Sequence, residues 1–95
     1  MQLHQLNQLA YPSTIEDAWI NSIHPGDTIL LIEEAILRCQ IQPHSLRETI
    51  ESKGALLFYL ESDALAYGIN PRLGTALTNE EWVNITLTAD SNISW

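Results

Sequence analysis

Few residues in this chain could do chemistry: one cysteine, Cys39, three histidines, His4, His24 and His44, and an adjacent pair of acids, Glu33 and Glu34. Cys39 is the one thiol nucleophile. A reactive thiol needs a helix N-terminus or cationic neighbours to stabilise its thiolate. Cys39 falls late in a helix-like stretch, beside Arg38 but with no histidine next to it in sequence. The expectation is a buried, inert thiol, with a persulfide carried on Cys39 as the competing reading. The histidines lack metal-ligand spacing. His4 lies in a strand-like segment and is expected to be a hydrogen-bonded structural residue. Glu33 and Glu34 are neighbours, so they point in different directions. Glycosidase-type chemistry needs two facing carboxylates with a substrate between them. Charges at the start of a helix are the simpler role for this pair. The four glycines are isolated, so no GxGxxG or GxxxxGK[ST] phosphate loop is present. No GxSxG elbow occurs. The Ser13-Thr14 pair is better read as a helix N-cap than as a flavin phosphate loop. These residues point to no catalytic group, no metal site and no cofactor.

The elements that would position these groups are organised around residues 26–36, GDTILLIEEAI. Gly26-Asp27 is a turn signal, and 28–32 is then apolar without a polar break. A strand apolar on both faces belongs inside a parallel sheet covered by helices. The two acids and a helical segment, 35–39, follow at its carboxyl end, where open α/β sheets gather ligands. Before it come a strand-like segment at 1–7 and a break at Pro12-Ser13. Next is a helix with Ile15, Ala18, Trp19 and Ile23 on one face, capped by Ser13 or Thr14. After it, Pro43 and the capping box Ser45-x-x-Glu48 open a helix that Gly54 ends. Residues 55–60, ALLFYL, read as a second buried strand. A short helix over 64–67, a weak strand at 75–77 and a last helix with the capping box Thr78-x-x-Glu81 complete the order. Trp82, Ile85, Thr86 and Ala89 make one face of that helix. Alternation of strand and helix predicts a single α/β domain over residues 1–95, a three-layer α/β/α sandwich with a mostly parallel sheet of four or five strands.

Composition bounds the function. The chain has 95 residues, 45% of them hydrophobic, and a net charge of −8. This is the size and content of one small globular domain. Its four basic residues, Arg38, Arg47, Lys53 and Arg72, are scattered in sequence. Phosphate neutralisation needs them clustered, so direct nucleic-acid binding is not expected. One cysteine excludes an internal disulfide. No apolar run is long enough for a bilayer and no signal peptide is evident, so a cytoplasmic protein without membrane contact is expected. Three tryptophans are a positive signal. Trp19 and Trp82 fall on apolar helix faces, and Trp95 follows a turn. Aromatic side chains are enriched at interfaces, so Trp19, Trp82 and Trp95 are the interface candidates. For Trp95 the favoured position is a subunit boundary.

The residues also resemble a family. Leu3-His4-x-Leu6, Gly26-Asp27-x-x-Leu30-Leu31, the block LFYLESDALAYGI at 57–69, Glu81-Trp82-Val83 and the final Trp95 occur in the order and spacing of the TusB/DsrH proteins. These are the smallest subunit type of the sulfur-relay complexes TusBCD and DsrEFH. The chain departs from them at Glu34-Ala35, where many members have Asp-Gly. Its first helix, 14–23, also lacks the cysteine that some DsrH-type members carry. The resemblance implies strand order 4-3-2-1-5 with 26–32 central and 93–95 beside the first strand. It further implies a two-of-each hexamer with TusC-like and TusD-like paralogues. In that complex the TusD-type subunit carries the persulfide, receives sulfur from TusA and passes it to TusE. The relay ends in 2-thiolation of the tRNA wobble uridine, or serves sulfur oxidation in the related complex. The resulting expectation is a non-catalytic, structural subunit. A sulfur carrier and a small-ligand binding module are the alternative classes.

Overall fold

The computed structural model describes all 95 residues. Five strands, β1 (Gln2–Leu6), β2 (Thr28–Leu31), β3 (Leu56–Leu60), β4 (Thr75–Leu77) and β5 (Ser91–Ser94), form one sheet. Every neighbouring pair is parallel and the order is 4-3-2-1-5, as the resemblance implied. The helices are α1 (Ser13–Asn21), α2 (Arg38–Ile41), α3 (Pro43–Lys53), α4 (Glu61–Ala66) and α5 (Asn79–Thr88). A 3₁₀ turn, Glu33–Leu37, joins β2 to α2.

Chain direction decides which face each helix covers. From β1 to β4 the chain steps across the sheet one strand at a time. Right-handed crossovers then keep the intervening helices on one face. The step from β4 to β5 runs back past β1, so the same handedness sends α5 to the opposite face. The two cores follow this division. The larger holds Leu6, Trp19, Ile23, Ile29, Leu31, Ile36 and Leu46. The smaller holds Leu3, Leu30 and Leu77, with Trp82 and Ile85 of α5 and Ala89 just after it packed on it. Strand β2 is buried at every residue, with Ile29 and Leu31 in one core and Leu30 in the other. Fully burying such a side chain stabilises by about 1.5–3 kcal/mol.

The two predicted buried strands differ. β3 is less covered than its apolar run implies: Leu56 is 57% exposed and Phe58 and Tyr59 are half-buried. Leu56 and Phe58 face the side that α5 alone covers, one strand nearer the sheet edge than β2, and Tyr59 lies at the margin of the larger core. The caps also sort themselves. Thr78 forms the expected reciprocal box with Glu81. The predicted Ser45 box is not made, because α3 starts earlier, at Pro43, and leaves Ser45 inside its first turn. Neither Ser13 nor Thr14 caps α1. Pro12 precedes that helix without a side-chain cap, and the Glu16 carboxylate accepts the Tyr11 N–H instead, at 2.8 Å. Gly54 ends α3 in the left-handed conformation, where a side chain would be strained.

Candidate functional site

At the carboxyl edge of β2, the two acids serve as fasteners. Glu33 is the one non-glycine residue with positive φ, at 51°. Its N–H donates to Asp63 Oδ2 of α4 at 2.6 Å, which holds this strained turn against the β3–α4 junction. Glu34 accepts the Leu9 N–H at 3.3 Å and ties down the β1–α1 loop. Glu33 is thus engaged through its backbone and Glu34 through its carboxylate, each with a different loop.

Next along the chain, Arg38 is buried at the start of α2. It forms a two-point pair with Glu16, Nη2 to Oε1 at 2.7 Å and Nη1 to Oε2 at 3.3 Å. Its Nε donates to the Gln8 carbonyl at 2.8 Å. The guanidinium lies over the rings of Tyr11 and Trp19, 5.4 and 5.5 Å from their centroids. Trp19 Nε1 donates to Glu16 Oε2 at 2.9 Å. Partial burial alone would raise the Glu16 pKa, but the Arg38, Tyr11 and Trp19 donors outweigh it and hold the carboxyl below its ordinary value. Trp19 is 2% exposed and spends its donor inside the chain. Trp82 is half-buried, with Nε1 donating to Gln5 Oε1 at 3.2 Å.

Cys39 follows Arg38 and faces the larger core. It is 8% exposed, and burial pushes its thiol up to about 11. The neighbouring guanidinium is committed to Glu16, so it does not stabilise a thiolate.

A third cluster joins residues that lie far apart in sequence. His4, fully buried in β1, shares a proton with Asp27 through Nε2, at 3.1 Å from Oδ2. Trp95 Nε1 donates to His4 Nδ1 at 3.3 Å, and the two rings stack within 10° of parallel. An indole N–H can only donate, so Nδ1 is the bare acceptor and Nε2 carries the proton that Asp27 receives. Both ring nitrogens are occupied, which leaves no lone pair for general-base work. Asp27 also accepts the N–H groups of Gln2 and His24, at 3.0 and 2.9 Å. Burial would raise the Asp27 pKa, yet these donors and His4 overcome it and hold the carboxyl low. Trp95 lies on its own sheet, its N–H bonded to the Gln5 carbonyl at 3.0 Å.

Sequence spacing hid Asp27 as the joint of this cluster, because the cluster draws on three separate stretches, residues 2–4, 24–27 and 95. The Gly26-Asp27 turn signal was its one visible trace. No group of three or more His, Cys, Asp or Glu side chains comes together to hold a metal.

The largest concavity, about 650 Å³, lies between the α2–α3 junction and the loop after α4. Cys39, His44, Arg47 and Arg72 are on its wall. Nothing in the spacing of these four residues indicates that they meet.

The sequence matches the family of DsrH-like proteins over residues 11–92. The chain belongs to the DsrH-like family. No curated protein matches it significantly. The DsrH-like match covers α1 through the first half of β5, and so includes both acids of the β2 edge, the Arg38–Glu16 pair, Cys39 and the concavity. DsrH-like membership makes this chain a sulfur-relay subunit and implies a multi-subunit relay complex. No helix is long and apolar enough to cross a membrane.

Proposed function

We propose that this chain is a non-catalytic, structural subunit of a cytoplasmic sulfur-relay complex that supports 2-thiolation of the tRNA wobble uridine. The family match over residues 11–92 carries the reading. The chain acts as one domain, residues 1–95, beside TusC-like and TusD-like paralogues in a two-of-each assembly. The TusD-type subunit holds the persulfide, and TusA and TusE meet the complex through it. Two features of the chain support a structural part. Its one thiol is buried and held protonated, so it is a poor sulfur acceptor. Its net charge of −8 suits a subunit that leaves the tRNA to others.

A second reading, sulfur carriage on Cys39, is favoured by one observation: Cys39 borders the concavity that also holds two arginines. Complementation separates the two. In cells lacking this chain, Cys39→Ala is expected to restore 2-thiouridine to the level that the wild type restores, and to co-purify with the paralogous subunits. If thiouridine is lost while the variant still folds and assembles, Cys39 is the carrier. If the wild-type chain restores no thiouridine at all, the tRNA branch of the reading is overturned.

A further inference from the structure

The concavity between the α2–α3 junction and the loop after α4 gathers positive charge in an acidic molecule. Twelve acids face four basic residues in the whole chain. Two of those four, Arg47 and Arg72, line this one cavity, and none of its lining residues is acidic. Arg38, by contrast, is neutralised by Glu16. Neither Arg47 nor Arg72 is paired with a carboxylate. The cavity is also where α3 begins. That helix starts without a side-chain cap and without an acid in its first turn, so its positive end is uncompensated. His44, on that first turn, Gln40 and Asn70 are further polar lining groups. Ile69, Leu73 and the Cys39 side chain add an apolar wall.

We propose that this cavity binds a small organic anion, one with a tetrahedral phosphoryl or sulfonyl head on an apolar body. Guanidinium forks match two oxygens of such a head at once. A helix N-terminus favours the same charge. A volume of about 650 Å³ exceeds what a bare oxyanion fills and lies within the range of small-molecule sites. The apolar wall is on hand for the body of the ligand. Cys39 contributes no charge, because its thiol stays protonated. The site does not depend on the sulfur-relay reading, and it assigns the two arginines to binding.

The test is calorimetric titration of the full chain at low ionic strength with phenyl phosphate, benzenesulfonate and inorganic phosphate, in buffers matched for chloride. Phenyl phosphate and benzenesulfonate are expected to bind, each at least tenfold more tightly than inorganic phosphate. In the double variant Arg47→Gln/Arg72→Gln their affinity is expected to fall at least tenfold. Lys53→Gln removes a cation outside the cavity and is expected to change affinity less than twofold. Amide chemical shifts of the wild-type chain provide the reading should the double variant not fold. With phenyl phosphate they are expected to move at residues 44–47 and 69–73 and to stay still around Lys53. The proposal is overturned if neither organic anion binds at millimolar concentration, or if inorganic phosphate binds as tightly as its ester. It is equally overturned if the folded double variant binds undiminished, or if the shifts fall elsewhere.

Discussion

At the scale of the residue, the buried charges, Asp27 and Arg38, and the one thiol are all spoken for inside the fold. Asp27 shows how. Its carboxylate accepts from Gln2, His24 and His4 while almost wholly buried. Asn at this position keeps the shape but turns one acceptor into a donor that faces existing N–H groups. Asp27→Asn is therefore expected to cost about 2–3 kcal/mol, read as a lower denaturant midpoint. The pH dependence has a definite sign. The folded pKa lies below the ordinary 3.8, so the contribution of Asp27 is complete above that value. It is lost as pH falls below 3.8 toward the folded pKa. The wild type should lose stability more steeply than Asp27→Asn in that acid window, and the two curves should run parallel near neutrality. Cys39 gives a second check. With its thiol pushed up to about 11, alkylation of the native chain should be slow at pH 7 and quicken as pH rises toward that value, whereas urea-unfolded chain should react rapidly throughout. Little of this was legible beforehand. Composition and spacing identified Cys39 as isolated, but the Asp27 joint depends on three stretches that meet only once the sheet is built.

Elements were read more readily, because hydrophobic period and chain order are local signals. The run 28–32 declared a central strand, and β2 is buried at every position. The run 55–60 looked equivalent, yet β3 lies one strand nearer the edge and is roofed on its second face by α5 alone. Apolar content cannot reveal what covers a strand. Capping signals behaved likewise. Thr78 and Ser45 both stand three residues before a glutamate, but Pro43 starts α3 early and leaves the Ser45 motif inside the helix. This predicts a contrast between two similar substitutions. Thr78→Ala should lower stability by about 1 kcal/mol, as the loss of an N-cap acceptor does. Ser45→Ala should change it by less than about 0.5 kcal/mol. Thermal melts of the two variants side by side provide the check. Equal losses would mean that α3 relies on Ser45 after all.

For the molecule as a whole, the reversal of direction after β4 leaves the two faces of the sheet unequally clothed. Four helices lie on one face and α5 alone on the other. Around that thin cover, Leu56 of β3, and Val83 and Leu87 of α5, stay exposed by 57%, 54% and 77%. Val83 and Leu87 are one helical turn apart, so they share a stripe beside the inward-facing row of Trp82, Ile85 and Ala89. Trp95, the side chain that the sequence pointed to as a boundary anchor, has its ring and N–H engaged with His4 in the larger core. The two surfaces should therefore respond differently to substitution. Removing Trp95 deletes a stacked, hydrogen-bonded indole from the fold and should lower the melting temperature of the chain by itself. Leu87→Glu touches an outward side chain and should shift that temperature by no more than about 2–4 °C, since exposed substitutions away from caps and cores rarely exceed about 0.5 kcal/mol. In the assembly proposed for this chain, a buried charge on an apolar contact would cost several kcal/mol. Leu87→Glu should then abolish co-purification with the paralogous subunits while the chain still folds. If Leu87→Glu assembles normally and loss of Trp95 alone releases the partners without unfolding the chain, the α5 face is solvent in the complex and the indole is the contact.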